Sequence, residues 1–276
     1  MKFHYNDKTV SNELYNTIIK KNNNCIRDVR KNFTRILVDN DKMYFVKTVN
    51  VNIMRYQNDS GKDNEIKPTI HFLNSIERYP HYQCLFPKVH IISQSGPYSY
   101  YIMSDIRNGD LADMLPLLNK RWVCTFLLQS LIGIYILNHK IKLFHNDLYY
   151  IDKIRNVMVH KSKKDDAMKP LNIKLGNSDL FVLSKQFCVK IIDFGRASHV
   201  QEFRTTEYHK KYFNHIKYIS EPLLFCLFLF KTIGVDQYSM LNQISNDLHE
   251  KVETLREFDE KLITFIYDKY SKYLMQ

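Results

Sequence analysis

The sequence predicts an α+β protein of two lobes, a small β-rich one followed by a larger, mainly helical one. Before residue 105 the apolar residues gather in short branched and aromatic runs of strand character: NFTRILV, KMYFVKTV, PKVHIIS and YSYYIMSDI. Beyond Asn108 they recur at helical spacing, with Val123, Phe126, Leu127, Leu131, Ile134 and Leu137 forming one stripe in RWVCTFLLQSLIGIYILNHK. No repeat and no Pro/Gly/Ser linker separates the halves. A single domain over 1–276 is therefore expected, with an N-lobe at about 25–105 and a C-lobe at about 106–276.

The first 24 residues are polar, end in KKNNN, and are expected to be an irregular lead-in with one short helix. NFTRILV and KMYFVKTV, joined by turn residues, predict a hairpin with Lys47 near the end of its second strand. Glu65 to Ile76 carries Ile66, Ile70, Leu73 and Ile76 near helical spacing, which puts Pro68 in the first turn. PKVHIIS and YSYYIMSDI are two further strands around a QSGP turn. After the long helix, NVMV and CVKIIDF are short apolar runs, and Lys161 to Phe187 between them is taken as an insertion. From about Ser220 the chain is expected to be helical, with PLLFCLFLF buried on all sides because it is far shorter than the roughly 20 residues that span a bilayer.

At 45% hydrophobic the chain has enough apolar content to fold rather than remain disordered. Its five cysteines are scattered singly, which argues against a disulfide framework and a zinc site and for a reducing compartment. No apolar stretch of signal-peptide length opens the sequence, so an intracellular, cytoplasmic protein without a membrane span is expected. A net charge of +11 suits acidic or phosphate-bearing partners. No arginine cluster interleaved with aromatics accompanies it, so no specific nucleic-acid partner is expected.

Two segments carry the candidate chemistry. LFHNDLYYIDKIRNVMV sets His145, Asn146, Asp147, Asp152 and Asn156 close together, and VKIIDFGRAS puts Asp193 at the end of an apolar strand before a glycine that permits a sharp turn. Together they resemble the protein-kinase signature, in which H-R-D-L-x-x-x-N supplies a catalytic aspartate and a magnesium ligand and D-F-G supplies another ligand. The likeness runs from about Phe33 to Phe230, and the C-terminal region resembles the divergent kinases of large DNA viruses more than a cellular kinase. It implies a kinase-like two-lobed fold and Asp147 as catalytic base. It also implies ATP with Mg²⁺ or Mn²⁺ as cofactors, and host cytoplasm or virion as the location of a viral member.

By the same resemblance FVKTV makes Lys47 the contact to the nucleotide phosphates, with Glu65 as its helix-borne partner. YIMSDIRNGD resembles the hinge: Met103 would be the gatekeeper, Ser104 to Ile106 would present backbone groups to adenine, and Asp110 would lie near the ribose. Metal ligands would be Asp193 and either Asn156, which precedes an apolar strand, or Asp152, which stands at the family's own spacing; Asn156 is preferred. His145 is expected to brace the loop.

The pattern departs from the family in four places. The phosphate-covering loop, NNNCIRDVRKNF, has no glycine, leaving Asn22 to Asn24 as a substitute turn tolerant of positive φ. Asn146 replaces the arginine that in many kinases binds a phosphorylated loop, so activity is expected without loop phosphorylation. Tyr149 replaces the lysine typical of serine/threonine kinases. Ser220-Glu221-Pro222 is only a loose analogue of A-P-E. Three functions share these residues: a protein kinase acting on Ser/Thr hydroxyls of a protein substrate, possibly an acidic one; a small-molecule phosphotransferase of the aminoglycoside or choline kinase type; and a pseudokinase scaffold.

Overall fold

The predicted hairpin forms in the computed structural model as β2 (Lys31–Val38) and β3 (Lys42–Asn50), paired antiparallel. The structure describes residues 2–25, 31–38, 42–50, 66–106, 108–150, 153–161, 171–182, 187–201, 218–235, 252–274 and four positions between 239 and 248. The protein is mixed α+β, with a β-rich N-terminal sheet and a helical C-terminal part. Contacts divide it into two compact units, Met1–Asn74 with Pro87–Ile106 and Ser75–Phe86 with Arg107–Gln276.

In the first unit β4 (Val89–Ser95) and β5 (Tyr98–Ser104) turn through Gly96, whose φ of 57° suits a residue without Cβ. The lead-in is more ordered than the sequence suggests. Lys2–Asn6 is an edge strand, β1, and Asn12–Cys25 is a 14-residue helix, α1. The sheet order is β1-β4-β5-β3-β2.

Two-residue alternation sorts β3 between the sheet faces. Tyr44 and Val46 join Ile36, Val38, Ile91, Tyr100 and Ile102 in the core that α1 covers with Tyr15 and Ile18. Phe45, Lys47 and Val49 take the opposite face. Asn22, expected in a substitute phosphate turn, is instead a fully buried residue of α1; its amide donates to Thr48 Oγ1 at 2.9 Å and accepts from Thr34 Oγ1. The buried pairing explains the correction: three polar side chains satisfy one another where a solvated turn would leave them apart.

Helix α2 (Ile66–Ile76) forms with Pro68 in its first turn. Its buried face is Thr69, Phe72, Leu73 and Ile76, shifted from the stripe expected through Ile66 and Ile70.

In the second unit β6 (Asn108–Asp110), β9 (Val157–Lys161) and β12 (Phe187–Ile191) form a sheet in the order β12-β9-β6. The helix α3 (Leu111–Met114) follows β6, and α4 (Lys120–Tyr135) starts where Asn119 accepts the Trp122 N–H at 3.1 Å. A π-helical turn, Ile136–Ile141, prolongs α4 until Lys142 turns left-handed at φ 62°. The window Lys120–Ile141 is long and apolar enough to cross a bilayer, yet 89% of it is buried inside this fold, as in the core helix of a folded protein. Gly133 lets α4 approach β12: a Cβ there would stand 2.6 Å from Ile191 Cδ1.

The segment taken as an insertion contributes structure. Leu171–Leu175 (β10) and Ser178–Val182 (β11) form a hairpin that buries Leu171, Ile173, Leu175, Leu180 and Val182. Helix α5 (Glu221–Thr232), capped by Ser220, is buried from Glu221 through Phe230, and α6 (Leu255–Leu274) packs on α4 and α5.

Candidate active site

Within the second unit three short loops converge. Phe144 and Ser198 exchange backbone hydrogen bonds of 2.8 and 2.9 Å, which ties the start of the first loop to the segment after Phe194. The His145 Nε2–H donates to Ile192 O at 2.8 Å, and its ring packs 5.4 Å from that of Phe194. A carbonyl can only accept, so this contact fixes the imidazole tautomer. His145 is fully buried and braces the loop, as its position in the sequence suggests.

Asp147 and Asn156 are joined directly. The Asn156 Nδ2 donates to Asp147 O at 2.8 Å and to its Oδ2 at 3.0 Å. The sequence gap between them is absorbed by a small hairpin, β7 (Tyr149–Tyr150) with β8 (Lys153–Ile154), closed by Arg155 N–H on Leu148 O at 2.9 Å. Arg155 then stands beside the carboxylate, with Nη1 3.6 Å from Asp147 Oδ1. That ion pair is longer than a hydrogen bond, and Oδ1 has no hydrogen-bond donor among the described residues.

Asn156 also accepts the Ile192 N–H on its backbone carbonyl at 2.9 Å, which makes it the neighbour of Asp193 across the loops. Asn146, Asn156 and Asp193 all have positive φ, of 60°, 59° and 66°. Asn and Asp tolerate that conformation better than other residues with a side chain, which is a local reason for those residue types here. Asp193 caps the turn Phe194–Arg196 by accepting from Gly195 N at 3.3 Å.

Sequence reasoning missed the group beneath this loop. Glu221, the first residue of α5, is fully buried, and its two oxygens accept from His145 N at 3.0 Å and Asn146 N at 2.5 Å. With its amide turned to face them, Asn138 donates to Leu143 O at 3.1 Å and Glu221 Oε2 at 3.0 Å. Burial pushes the Glu221 carboxyl up to about 7, against the pull of those donors. Glu221 had been noticed only within Ser220-Glu221-Pro222; the signal for its burial was an acid at the head of a wholly apolar helix. The Asn146 amide donates to Ser198 Oγ and Val200 O, both at 3.0 Å, and to Arg196 O at 3.4 Å.

Asp110 is the N-cap of α3 and accepts from Ala112 N at 2.9 Å; burial raises its carboxyl above the ordinary range, with Lys153 and Arg155 among the groups that oppose the rise. Tyr149 is buried and stacks on Phe228 at 5.1 Å, so its ring belongs to the core and not to the open side of the loop.

The remaining expected residues belong to the first unit. Lys47 is 2% exposed, with its ammonium 5.3 Å from the centre of the Tyr101 ring. A buried lysine is costly unless its charge is compensated, which marks this position as chemically unusual within the sheet. Met103 is buried at the end of β5. Ser104 donates its N–H to Lys88 O at 2.9 Å, and Ile106 O accepts from Arg35 Nη2 at 2.5 Å, so two of the backbone groups expected to face adenine are engaged within the unit. Glu65 and Asp152 lie outside the described residues.

Among the described residues no group of three or more His, Cys, Asp or Glu is gathered for a metal. The donor set on neighbouring loops is an amide oxygen of Asn156 and the carboxylate of Asp193. Because Asn156 uses Nδ2 on Asp147, its Oδ1 is directed elsewhere. Two hard oxygen donors fit Mg²⁺, which keeps few protein ligands and completes its shell with water and phosphate. No protein-family model matches this chain, and no curated protein sequence matches it.

Proposed function

We propose that the chain is an ATP-dependent phosphotransferase with a kinase-like two-lobed fold, transferring the γ-phosphoryl group to hydroxyls of a protein substrate, serine or threonine foremost. The observation that carries this reading is the double hydrogen bond from Asn156 to Asp147, with Asn156 in turn bonded to the backbone before Asp193. It holds a carboxylate and two oxygen donors in one constellation, as in-line phosphoryl transfer requires.

In this reading Asp147 accepts the proton of the acceptor hydroxyl as its oxygen bonds to the γ-phosphorus. The bond from that phosphorus to the β–γ bridging oxygen breaks, and ADP leaves with the electron pair. Asn156 holds the Asp147 backbone and carboxylate in place. By its resemblance to the family's V-A-I-K element, FVKTV assigns Lys47 to the phosphates, with Glu65 as the implied partner. Asn156 and Asp193 would hold Mg²⁺, which when bound would neutralise charge on the triphosphate. Asn146 spends its amide on Arg196 O, Ser198 Oγ and Val200 O, and a neutral amide lacks the charge with which a guanidinium binds phosphate, which supports activity independent of loop phosphorylation. Phosphatase treatment should leave transfer intact.

The test is purified protein with labelled ATP and Mg²⁺, offered casein, a basic protein, and small alcohols or aminoglycosides. Label on protein, reduced at least about 100-fold in Asp147→Ala and Asp193→Ala, supports the reading. Label on the small acceptors alone would make it a small-molecule phosphotransferase. A melting temperature unmoved by every nucleotide with Mg²⁺ would overturn the enzymatic reading and leave a scaffold.

A further inference from the structure

Asp7, His90 and Ser104 form a second constellation, wholly within the first unit. Asp7 follows β1, His90 lies on β4, and Ser104 ends β5. The β4–β5 register slips between Val89 and Ile91, so His90 is the extra residue of a β-bulge, a device that re-aims a side chain. Both ring nitrogens are engaged: Nδ1 lies 2.9 Å from Asp7 Oδ2 and 2.7 Å from Thr9 Oγ1, and Nε2 lies 2.9 Å from Ser104 Oγ. The Asp7 N–H donates to His90 O at 2.9 Å, which clamps the acid to the backbone of the histidine.

Chemistry assigns the protons along this chain of contacts. Burial raises the Asp7 carboxyl, but hydrogen bonds from Thr9 and His90 outweigh it and hold the acid below its ordinary range, so it is ionised at neutral pH. A carboxylate can only accept, so Nδ1 carries the ring hydrogen and Nε2 holds the lone pair that receives the Ser104 O–H. Burial also lowers the proton affinity of His90, in spite of Asp7, which leaves the ring a neutral base. Pinning the segment after β1 requires only Asp7, Thr9 and His90. Ser104, partly exposed at a strand end, could satisfy its hydroxyl with water, yet it aims that hydroxyl at an acid-backed imidazole, the arrangement that nucleophilic catalysis uses. Lys88, with Nζ 3.9 Å from Asp7 Oδ2, adds a positive charge beside the group, which favours an oxyanion there.

We propose that Ser104 is a nucleophile toward carboxylic esters, with His90 as its general base and Asp7 as the residue that positions the imidazole. The Ser104 oxygen bonds to the ester carbonyl carbon while its proton passes to His90 Nε2. The bond from that carbon to the alkoxy oxygen breaks, and the alcohol leaves with the electron pair and the proton from His90. Water then attacks the acyl carbon and gives a proton to His90; that proton returns to Ser104 as the carbon–Oγ bond breaks and the carboxylic acid departs. This activity is independent of the phosphotransfer reading, since no nucleotide takes part in it.

The experiment treats the full chain with a fluorophosphonate, whose phosphorus takes a serine oxygen as fluoride leaves, and separately with 4-nitrophenyl acetate. Peptide mass spectrometry locates the adduct, nitrophenolate release gives kcat and KM, and melting temperatures monitor folding. The adduct is expected on Ser104, and Ser104→Ala should lose both the adduct and ester turnover. His90→Gln should slow both by about 100-fold or more. Asp7→Asn should lower kcat by at least about tenfold with KM and melting temperature unchanged, because an amide in place of the acid no longer enforces the tautomer.

An adduct confined to other residues, no adduct at all, or ester turnover that survives Ser104→Ala overturns the inference. So does labelling of Ser104 at the wild-type rate in a folded His90→Gln. A loss in Asp7→Asn matched by a fall in melting temperature overturns the positioning role and makes Asp7 a structural tie. If His90→Gln does not fold, wild type and Ser104→Ala decide: an adduct on Ser104 with turnover lost in the alanine variant supports the inference, and equal turnover overturns it. None of these results bears on the labelled-ATP test, so the two readings fail separately.

Discussion

In the five-stranded sheet, Lys47 is placed by the alternation of the nine-residue strand β3, with Phe45 and Val49 flanking it on the same face. In the second unit, Asp147, Asn156 and Asp193 are placed by loops with no regular periodicity, through single hydrogen bonds and left-handed residues. The sheet spreads its positional information over many backbone bonds and side chains. The loops concentrate theirs on few groups, above all the two oxygens of Glu221. Damage should therefore be graded in the sheet and abrupt in the loops.

The sharpest way to break that contrast is Glu221→Ala. It leaves the buried N–H groups of His145 and Asn146 and the Asn138 amide without their acceptor, and each orphan costs about 1–3 kcal/mol. A loss of roughly 3–5 kcal/mol in urea denaturation is expected, with transfer activity abolished. A loss under about 1 kcal/mol would mean that the loop is held by something else.

Glu221→Gln isolates the charge. Burial raises the folded pKa to about 7 from an ordinary 4.5, so the fold favours the protonated acid. This contribution to stability is full below the unfolded value and disappears as pH climbs through the folded one. The wild-type stability minus that of Glu221→Gln should fall between those limits by on the order of 3 kcal/mol, since each tenfold change in proton affinity is worth about 1.4 kcal/mol. Urea midpoints for both proteins across that interval provide the check; a difference independent of pH contradicts it.

Under the sheet, in α1, Asn22→Ala removes the partner shared by Thr34 of β2 and Thr48 of β3. A cost of about 1–2 kcal/mol is expected, with nucleotide response retained per folded molecule. Loss of that response in a folded variant would show that the sheet too depends on single contacts. Smallest of all should be Tyr149→Phe. Its hydroxyl is buried without a hydrogen bond among the described residues, so its removal should leave kcat unchanged and stability within about 0.5 kcal/mol of wild type or slightly higher.

The strand runs of the first unit were legible because alternation is a local signal, and β2 through β5 fall where branched and aromatic residues cluster. The β10–β11 hairpin was missed, although LNIKLGNSDLFV carries apolar residues at alternate positions on both sides of Gly-Asn, because the surrounding lysines and aspartates made the segment read as a polar insertion. The motif spacing left Asp152 and Asn156 as rival ligands, because a sequence cannot show that residues between them fold back on themselves. The structure pairs Asn156 with Asp147 by hydrogen bonding and not by spacing.

Sequence alone determined the residue types at the site and the order of the elements that bear them, because propensity, alternation and motif are properties of neighbours along the chain. Only the tertiary structure decided that a helix beginning 74 residues after Asp147 supports its loop from below, and that Arg155 lies against the carboxylate. Those relations arise from burial and hydrogen bonding between segments distant in sequence. An acid on an apolar helix acquires its structural role from what folding brings beside it.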